Sequence, residues 1–431
     1  MPPGWRCSQA DPVPARGYAL GVRPPSAVRD LLPQDEVEAV MATATFVNTV
    51  GNGLFSVTSA LFFTRIVGIP PLRLGFAFSV AAFVGLVTTL PMGQLADRVS
   101  PKALNVRLAL VSAAGMFLYA LATTYAWFFV VAMVLAVSDQ GGRAARNTLI
   151  ARIGGSSNKV RIRAYLRSVT NLGIAIGTLG GGLALAVDNA AFYRALITVN
   201  AASTLLSAVL LRRLPELPVL RSAERPRRTE ALRDHTYVVL TVVNMLMSMH
   251  FMLLELIVPL WIAHHTTAPR WIAAGTYLVN TIACVLFQVR MSQGADDLRI
   301  AARLQRSGGM WLAIGTVVYA SAAWFGSPWI AGAVMLLAAA VHVAGELRQS
   351  SGSFGIGFNL PPEHLQGQYQ AVWSLGYTVA AIVAPTWLTW LAFSLGTTGW
   401  VILGAQFALA GMLSPWLVER ALRDPRRQAV A

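Results

Sequence analysis

The chain has 431 residues, of which 55% are hydrophobic and only 12% are charged, with a net charge of +15. Soluble domains carry about 25% charged residues, so a chain this poor in charge cannot cover a water-facing surface. A soluble enzyme or a nucleic-acid-binding protein is therefore nearly excluded, although the positive charge alone would suit the latter.

Twelve apolar stretches long enough to cross a bilayer follow one another along the chain. A hydrocarbon core of about 30 Å needs ~20 apolar residues in a helix. The predicted helices cover 40–63, 73–92, 104–124, 127–149, 165–187, 191–211, 236–263, 271–290, 308–325, 328–348, 367–393 and 398–418.

The tails and the longest connector divide these helices into two sets of six. Residues 1–38 are rich in Pro and Arg and predict a disordered cytoplasmic tail without a signal peptide. We predict an N-terminal six-helix bundle over 39–211, a basic cytoplasmic linker over 212–235, a second six-helix bundle over 236–420 and a tail over 421–431. The predicted fold class is an all-α polytopic membrane protein, with twelve transmembrane helices in two pseudo-symmetric six-helix bundles.

The basic residues are distributed unevenly between the two sides of these helices. If the N-terminus lies inside, 30 of the 34 Lys and Arg residues fall on the inner side, and the other four are Arg65, Arg73, Arg194 and Arg270. Such an asymmetry follows the positive-inside rule. It predicts a multi-pass protein of the plasma (inner) membrane with both termini in the cytoplasm.

Two short sequences recur at equivalent places in the two halves. Residues 93–97 (GQLAD) follow helix 2, as 292–296 (SQGAD) follow helix 8. Residues 168–173 (SVTNLG) open helix 5, as 371–376 (AVWSLG) open helix 11. An internal repeat of six helices is typical of transporter folds.

The segment after helix 2 carries a family resemblance. Its sequence, GQLADRVSPK, resembles the signature G-x-L-A-D-R-x-G-R-K that the major facilitator superfamily carries between helices 2 and 3, with a Ser-Pro pair in place of Gly-Arg. Gly93, Asp97, Arg98 and Lys102 match it. Gly93 permits a close helix approach, and Asp97 can face a helix N-terminus, where a negative charge is favourable. The resemblance implies conformational gating by these four residues; an ordinary basic loop is the alternative.

Helix 5 carries a second resemblance. The sequence GIAIGTLGGG over 173–182 is similar to G-x-x-x-G-P-x-x-G-G of the superfamily's exporters, with Thr at the Pro position. Glycines spaced by four allow backbones to approach closely. The resemblance adds Gly173, Gly177, Gly181 and Gly182 to the gating candidates and implies export; generic small-residue packing is the alternative.

Three carboxylates lie well inside predicted helices: Asp139, Glu255 and Glu346. Ionisable groups in a bilayer are costly and face a cavity or a partner. Asp139, Arg143 and Arg146 share one face of helix 4, so Asp139 can pair with Arg143. We expect Asp139 to be either a proton or anion site or half of a structural ion pair, and the two arginines to belong to the inner gate.

The remaining proton-coupling candidates are histidines and the two other carboxylates. His342 lies four residues before Glu346, and a His beside a carboxylate titrates near physiological pH. Glu346 can alternatively pair with Arg348 or Arg143 at the inner gate. His250 lies near the middle of helix 7. Glu255 has no basic residue near it in the sequence, which makes it our first candidate for proton coupling.

Uncharged polar and aromatic side chains are candidates for the substrate cavity, because their positions place them within the helices. Aromatic rings suit amphipathic or cationic ligands, although packing is the commoner role of such residues. These candidates are Asn48, Asn52, Asn244, Asn280, Trp373 and Tyr377.

The resemblance implies a secondary transporter that works by alternating access, with proton-coupled efflux of a small organic compound such as a drug or secondary metabolite. The alternatives are uptake or facilitated diffusion of a sugar-like or anionic metabolite, and a non-transporting membrane receptor or scaffold. We expect no enzymatic activity, no cofactor and no metal, since neither a phosphate-binding loop nor a His/Cys spacing for a metal occurs. The expected partners are the substrate, protons and the lipid bilayer, with no nucleic acid, and the protein is expected to be a monomer.

Overall fold

A computed structural model describes residues 32–153, 158–187, 189–216 and 230–423, with the side chains of 57–58, 60–61, 71–72 and 182–187 outside the description. Residues 1–31 of the tail predicted over 1–38, the end of the C-terminal tail and most of the basic linker lie outside the described residues, while α1 already begins at Glu36. Within the described ranges every regular element is helical. The twelve long helices are α1 (Glu36–Leu61), α2 (Pro71–Arg98), α3 (Pro101–Ala120), α4 (Tyr125–Ile153), α5 (Lys159–Val187), α6 (Ala190–Leu211), α7 (His235–His265), α8 (Ile272–Met291), α9 (Leu298–Ser321), α10 (Pro328–Asn359), α11 (Gln366–Thr389) and α12 (Thr397–Leu422).

Nine of these helices in the described ranges are long and apolar enough to cross a membrane. The prediction of an all-helical, multi-pass membrane protein is thereby confirmed. The three others are α1, α5 and α9, and both α5 and α9 begin with several basic residues that lower their hydropathy. A total of twelve spans stays a prediction.

The helices pack in a pattern that repeats after six. In the first half, α1 packs on α5 and α6, α4 packs on α2 and α3, and α3 packs on α6. In the second half, the equivalent helices do the same: α7 packs on α11 and α12, α10 packs on α8 and α9, and α9 packs on α12. Between the halves, α2 packs on α11 and α5 packs on α8, again an equivalent pair. This arrangement places α4, α5, α10 and α11 around the space between the halves.

Several helices extend beyond their predicted bounds: α2 runs to Arg98, α5 begins at Lys159 and α9 begins at Leu298. Helix α10 is also longer than predicted and α7 is interrupted, and these two differences have a physical reason. The predicted loop after 348 is helical to Asn359, because Gly352 and Gly355 let α10 pack directly on the backbone carbonyls of Ala301 and Ala295. Helix α7 is broken by a turn at Met249 and a π-helical segment, Leu253–Ile257. Pro259 has no N–H for the carbonyl four residues earlier, so the π-helical segment accommodates the lost bond.

Candidate functional site

One end of the molecule is closed by a contact between α2 and α11. The Asp97 carboxylate, in the last turn of α2, accepts hydrogen bonds from the backbone N–H groups of Gly367 (2.6 Å) and Gln368 (2.9 Å) at the start of α11. A Cβ on Gly93 would lie 2.5 Å from the Gly367 carbonyl and from the Ala371 side chain. Asp97 therefore stands at the helix N-terminus that its sequence motif predicts, and the fold shows that this helix belongs to the opposite half.

The equivalent contact in the other direction joins the α8–α9 connector to α5. Asp296, between Met291 and Leu298, faces the backbone N–H of Val160 and the Lys159 ammonium, both in the first turn of α5. Lys159 Nζ also donates to the Phe358 carbonyl at the end of α10 (3.2 Å). Burial raises the pKa of Asp296 above its ordinary value despite these favourable contacts. Two acidic residues at equivalent positions thus join the halves at this end, which we call the closed end.

The predicted gating residues near Asp97 have different surroundings. Gly93 to Arg98 belong to the helix rather than to a loop, and Arg98 points outward and is exposed. Lys102 pairs with the exposed Glu216 at 3.0 Å within the same half. Ser100, where relatives carry Gly, caps α3 by accepting the N–H of Ala103.

The main cavity lies between the halves and has a volume of about 530 Å³. It runs from Phe55 and Phe78 toward Gln370 and Phe358 near the closed end. One half contributes walls mainly from α2 and α4, and the other half contributes walls from α10 and α11. A cavity of this size suits a drug-sized molecule.

Trp373 and Tyr377 form part of the wall of this cavity. The Trp373 indole N–H donates to Ser353 Oγ (3.2 Å), and the Tyr377 hydroxyl bonds to the same oxygen (2.6 Å). The rings are therefore held in fixed orientations by α10. Across the cavity Gln140 Nε2 donates to Thr378 Oγ1 (3.3 Å), which is a further link between the halves.

The charged residues of the cavity are Asp139, Arg143, Arg146 and Arg163. The expected pairing of Asp139 with Arg143 is absent: no N–O distance within 4.0 Å joins them among the described residues. Instead Ser112 Oγ donates to Asp139 (3.1 Å), and Arg143 Nε donates to Gln140 (2.6 Å). The two side chains thus share a helix face without forming a salt bridge, and both remain accessible from the cavity.

Glu346 forms an ion pair that joins the two halves. Its carboxylate on α10 pairs with Arg167 of α5, and it accepts a hydrogen bond from Asn280 of α8 (2.6 Å). Arg167 also donates to Ser350 (2.6 Å) and lies 4.8 Å from the ring centre of Phe251. The ion pair between Glu346 and an arginine, which the sequence offered as an alternative to proton coupling, is thus present. The partner of Glu346 is Arg167 rather than the expected Arg348 or Arg143.

Two buried histidines adjoin this ion pair. His342 Nε2 lies 3.8 Å from Glu346 Oε2, and His250 Nε2 lies 3.4 Å from the amide oxygen of Gln349. The ligand atoms of His250, His342 and Glu346 lie within 4.8 Å of one another, close enough in space for a metal ion, although the sequence showed no metal-ligand spacing. Arg167 already bonds to one carboxylate oxygen and Asn280 to the other, so a divalent cation would compete with the guanidinium or with the amide.

The other predicted residues lie away from the main cavity. Asn48 bonds to Thr204 and to Asn52, and both asparagines line an adjoining 160 Å³ cavity within the first half, which shares the Asp139 wall with the main cavity. Asn244 is buried and accepts from two glutamine amides inside the second half. Glu255 is exposed on the π-helical segment of α7 and lines none of the three cavities in the described part of the chain.

The glycines of α5 pack against α1 within one half. A Cβ on Gly177 would lie 2.1 Å from the Val50 carbonyl, and one on Gly173 would lie 2.1 Å from Thr49 Oγ1. Gly181 is buried on the same helix, and the surroundings of Gly182 lie outside the described side chains. In this conformation these glycines set the α1–α5 distance rather than the contact between the halves.

Sequence reasoning missed the basic residues of α5. Arg163 and Arg167 lie one turn apart and both reach the space between the halves, where Arg167 and Arg146 line a further cavity of about 200 Å³. Their spacing of four was visible in the sequence. Arg163 lies just before the predicted start of this helix at 165 and Arg167 lies in its first turn, so both were interpreted as topology signals instead of cavity residues.

Comparisons with known proteins agree with this architecture. The family profile described as Major Facilitator Superfamily matches residues 41–385. No curated protein matches the chain. Similar solved structures include a bacterial homologue of the iron transporter ferroportin in the outward-facing state, with 15% identity, a TM-score of 0.69, and coverage of 90% of this chain and 100% of that chain.

Two further structures are similar over comparable lengths. The E. coli fucose:proton symporter has 16% identity and a TM-score of 0.67, with coverage of 88% of this chain and 98% of that chain. The human organic anion transporter TETRAN has 13% identity and a TM-score of 0.66, with coverage of 91% of this chain and 100% of that chain. At such identities the likeness concerns the fold alone.

Proposed function

This chain belongs to the Major Facilitator Superfamily, and from that premise we propose that it is a proton-coupled secondary transporter of a small organic compound, working by alternating access. The neighbouring structures carry very different cargoes, so the fold itself selects no substrate. The proposal therefore depends on the cavity and on the contacts that close it.

One observation carries the proposal: the halves are joined at one end only. Among the described residues, every hydrogen bond between the halves lies between the closed end and the middle of the helices, from Asp97 and Lys159 to Gln140. The cavity lies beside these bonds and continues past them toward Phe55 and Phe78. A cavity closed on one side by separable polar contacts is what alternating access requires.

The pair between Arg167 and Glu346 gives protons a way to act on this closure. It joins α5 to α10, so it must separate when the halves part at the closed end. A proton on Glu346 removes the negative charge and weakens the pair, which lowers the cost of opening. The nearest ionisable and polar groups around Glu346 are Arg167, His342, His250, Cys284 and Asn280, and the charge of Glu346 also acts on Glu255, Tyr277 and Tyr319.

Asp139 is the second candidate for proton binding. Its carboxylate is accessible from the cavity and lies on the same helix face as Arg143 and Arg146. A proton there changes the charge of the cavity wall by one unit. Proton binding at Asp139 therefore alters substrate affinity, whereas proton binding at Glu346 alters the equilibrium between the states, and both effects are needed for coupling.

The direction of transport follows from the charge of the substrate. Export in exchange for protons is the direction implied by the glycine pattern of α5, and it follows for a neutral or cationic compound that competes with the proton. Uptake together with protons is the second candidate, and the arginines beside both carboxylates favour it. If the substrate is an anion, a proton on Glu346 or Asp139 leaves these arginines free to bind it. Binding of the proton then raises the affinity for the substrate, and binding of the substrate raises the affinity for the proton.

Transport into proteoliposomes under an imposed pH gradient tests the proposal. A pH-sensitive dye inside the vesicles reports proton movement while lipophilic cations, aromatic anions, antibiotics and sugars are added in turn. We expect substrate-dependent proton movement in the wild type, its loss in Glu346→Gln and its change in Asp139→Asn. Glu255→Gln is the matched control, because this carboxylate lies outside the described cavities.

Two results would contradict the proposal. Substrate movement without proton movement, unchanged in Glu346→Gln and Asp139→Asn, would leave facilitated diffusion as the better description. Loss of coupling in Glu255→Gln alone would move the proton site to α7 and remove the role given to Glu346.

A further inference from the structure

The charges of the main cavity do not balance. Three arginines, Arg143, Arg146 and Arg163, face one aspartate, Asp139. The adjoining 200 Å³ cavity adds only Arg167, whose charge Glu346 already neutralises. The walls between the halves thus hold an excess of two positive charges next to apolar surface.

These arginines have no carboxylate partner among the described residues. Arg143 donates to the neutral amide of Gln140. The Nε group of Arg146 is buried and makes no hydrogen bond. Arg163 faces the Phe354 ring at 5.5 Å, which is a weak interaction compared with an ion pair. The charges of Arg163 and Arg143 repel that of Arg146, and the weaker attraction of the single Asp139 opposes them.

Unpaired guanidinium groups of this kind are costly, because charges withdrawn from bulk water lose hydration that only a close partner replaces. The excess is reduced when an anion enters the cavity. The guanidinium group is planar and presents paired donors that match carboxylate, sulfonate and phosphate oxygens. The aromatic walls, with Trp373, Tyr377 and Phe55, suit an apolar body attached to the acidic group.

We infer that the cavity binds an amphipathic organic anion, with its acidic group at Arg146 and Arg163 and its apolar body against the rings of Trp373 and Tyr377. This inference rests on the proposed transport function and names its substrate class. A cationic compound is disfavoured by the excess positive charge. Because proton binding and anion binding support each other, the inference also selects transport of proton and substrate together over exchange.

Matched probes with one ring system separate charge from shape. The wild-type protein in lipid nanodiscs is dialysed to equilibrium against 1-naphthalenesulfonate, (1-naphthylmethyl)trimethylammonium or neutral 1-naphthalenemethanol, with empty nanodiscs as the blank. We expect the sulfonate to bind at least tenfold more tightly than the ammonium compound. Binding of the sulfonate should also draw protons from a weakly buffered solution, since this probe does not itself titrate.

Substitutions locate the site. Arg146→Gln and Arg163→Gln should each weaken sulfonate binding by about tenfold or more, the size expected for a charged hydrogen bond. Arg163→Lys keeps the charge and should bind with intermediate strength. Arg270→Gln, an exposed arginine beyond the cavity, is the matched control and should bind as the wild type does. The midpoint of thermal unfolding verifies that each variant is folded.

The possible results distinguish this inference from the transport proposal. Equal or tighter binding of the ammonium compound, or sulfonate binding unaffected by Arg146→Gln and Arg163→Gln in folded protein, overturns the inference. Transport of a neutral or cationic compound without anion binding overturns it too while the transport proposal stands. Arginine-dependent sulfonate binding in a protein that moves no substrate supports the anion site and contradicts the transport proposal.

Discussion

Removal of the Asp97 side chain should open the closed end. The carboxylate accepts two hydrogen bonds from α11, at 2.6 Å from Gly367 N and 2.9 Å from Gln368 N, in a buried position. Each of these two hydrogen bonds to a charged group contributes about 1.5–3 kcal/mol to the closed state. The open state recovers part of this free energy, because water then solvates the carboxylate and the N–H groups. For Asp97→Ala we therefore expect a net shift of about 2–3 kcal/mol toward the open state, or roughly 30- to 150-fold in the equilibrium constant.

The native Cys284 thiol reports this opening. It is fully buried on α8, its carbonyl accepts a hydrogen bond from Ser168 of the opposite half (2.9 Å), and its Sγ lies 3.7 Å from Glu346. With Cys7→Ser, Cys284 is the single thiol of the chain. When α5 moves away, a water-soluble maleimide gains access, so its labelling rate follows the open fraction.

The matched control removes a similar carboxylate within one half. Asp297 accepts from the N–H groups of Arg299 (2.8 Å) and Ile300 (2.9 Å) at the start of α9. Asp297→Ala should leave the Cys284 labelling rate near that of the wild type. A rate in Asp97→Ala equal to that of Asp297→Ala would refute the reasoning, because the contact between α2 and α11 would then not hold the halves together.

Three further perturbations have defined outcomes. Gly367→Ala should also accelerate Cys284 labelling, since its Cβ would lie 2.3 Å from the Gly93 carbonyl. Gly177→Val should lower the thermal unfolding midpoint by roughly 5 °C through overpacking of the α1–α5 contact, as measured by tryptophan fluorescence. Burial raises the pKa of Asp296, so protons bind the closed state more tightly than the open state, and closure at this contact is strongest at low pH and weakens as the pH rises through the raised pKa. The ratio of labelling rates between the wild type and Asp296→Asn should therefore rise with pH.

Controls for these outcomes come from the same chain. Gly326→Ala, whose Cβ meets no atom within 4 Å, should leave labelling unchanged, and an equal acceleration there would discount the result at Gly367. Gly180→Ala approaches only the end of the Leu54 side chain, at 3.0 Å, and should unfold near the wild-type temperature. A labelling ratio that is flat across pH would contradict the role given to Asp296.

The sequence was sufficient for the family and for the membrane fold because both depend on local patterns. Apolar runs and the GQLAD motif each occupy one short segment, and the family match and the nine candidate spans in the described ranges confirm the predictions drawn from them. The helix boundaries depend also on tertiary packing. The glycines and serines near the end of α10 suggest a loop in isolation, and only their packing against α9 makes the segment helical.

Partners between the halves could not be predicted from the sequence. Glu346 was compared only with residues near it in the chain, whereas its partner Arg167 lies 179 positions away on α5. The same limit applies to Asp139. The geometry of a single helix allows Asp139 to pair with Arg143, but in the structure Ser112 bonds to Asp139 and Gln140 bonds to Arg143 instead. Glu255 lies exposed on a π-helical segment, a property that a regular helix pattern does not reveal.

The most direct test of alternating access compares the two ends of the molecule in one experiment. Spin labels at Arg213 and Gln293 report the closed end, and labels at Arg73 and Thr398 report the opposite end; all four positions are exposed. The distances are measured with Cys7 and Cys284 replaced by serine, with and without bound 1-naphthalenesulfonate and across pH. Alternating access predicts that one distance lengthens whenever the other shortens. Distances that change together, or do not respond to substrate and protons, would contradict the account.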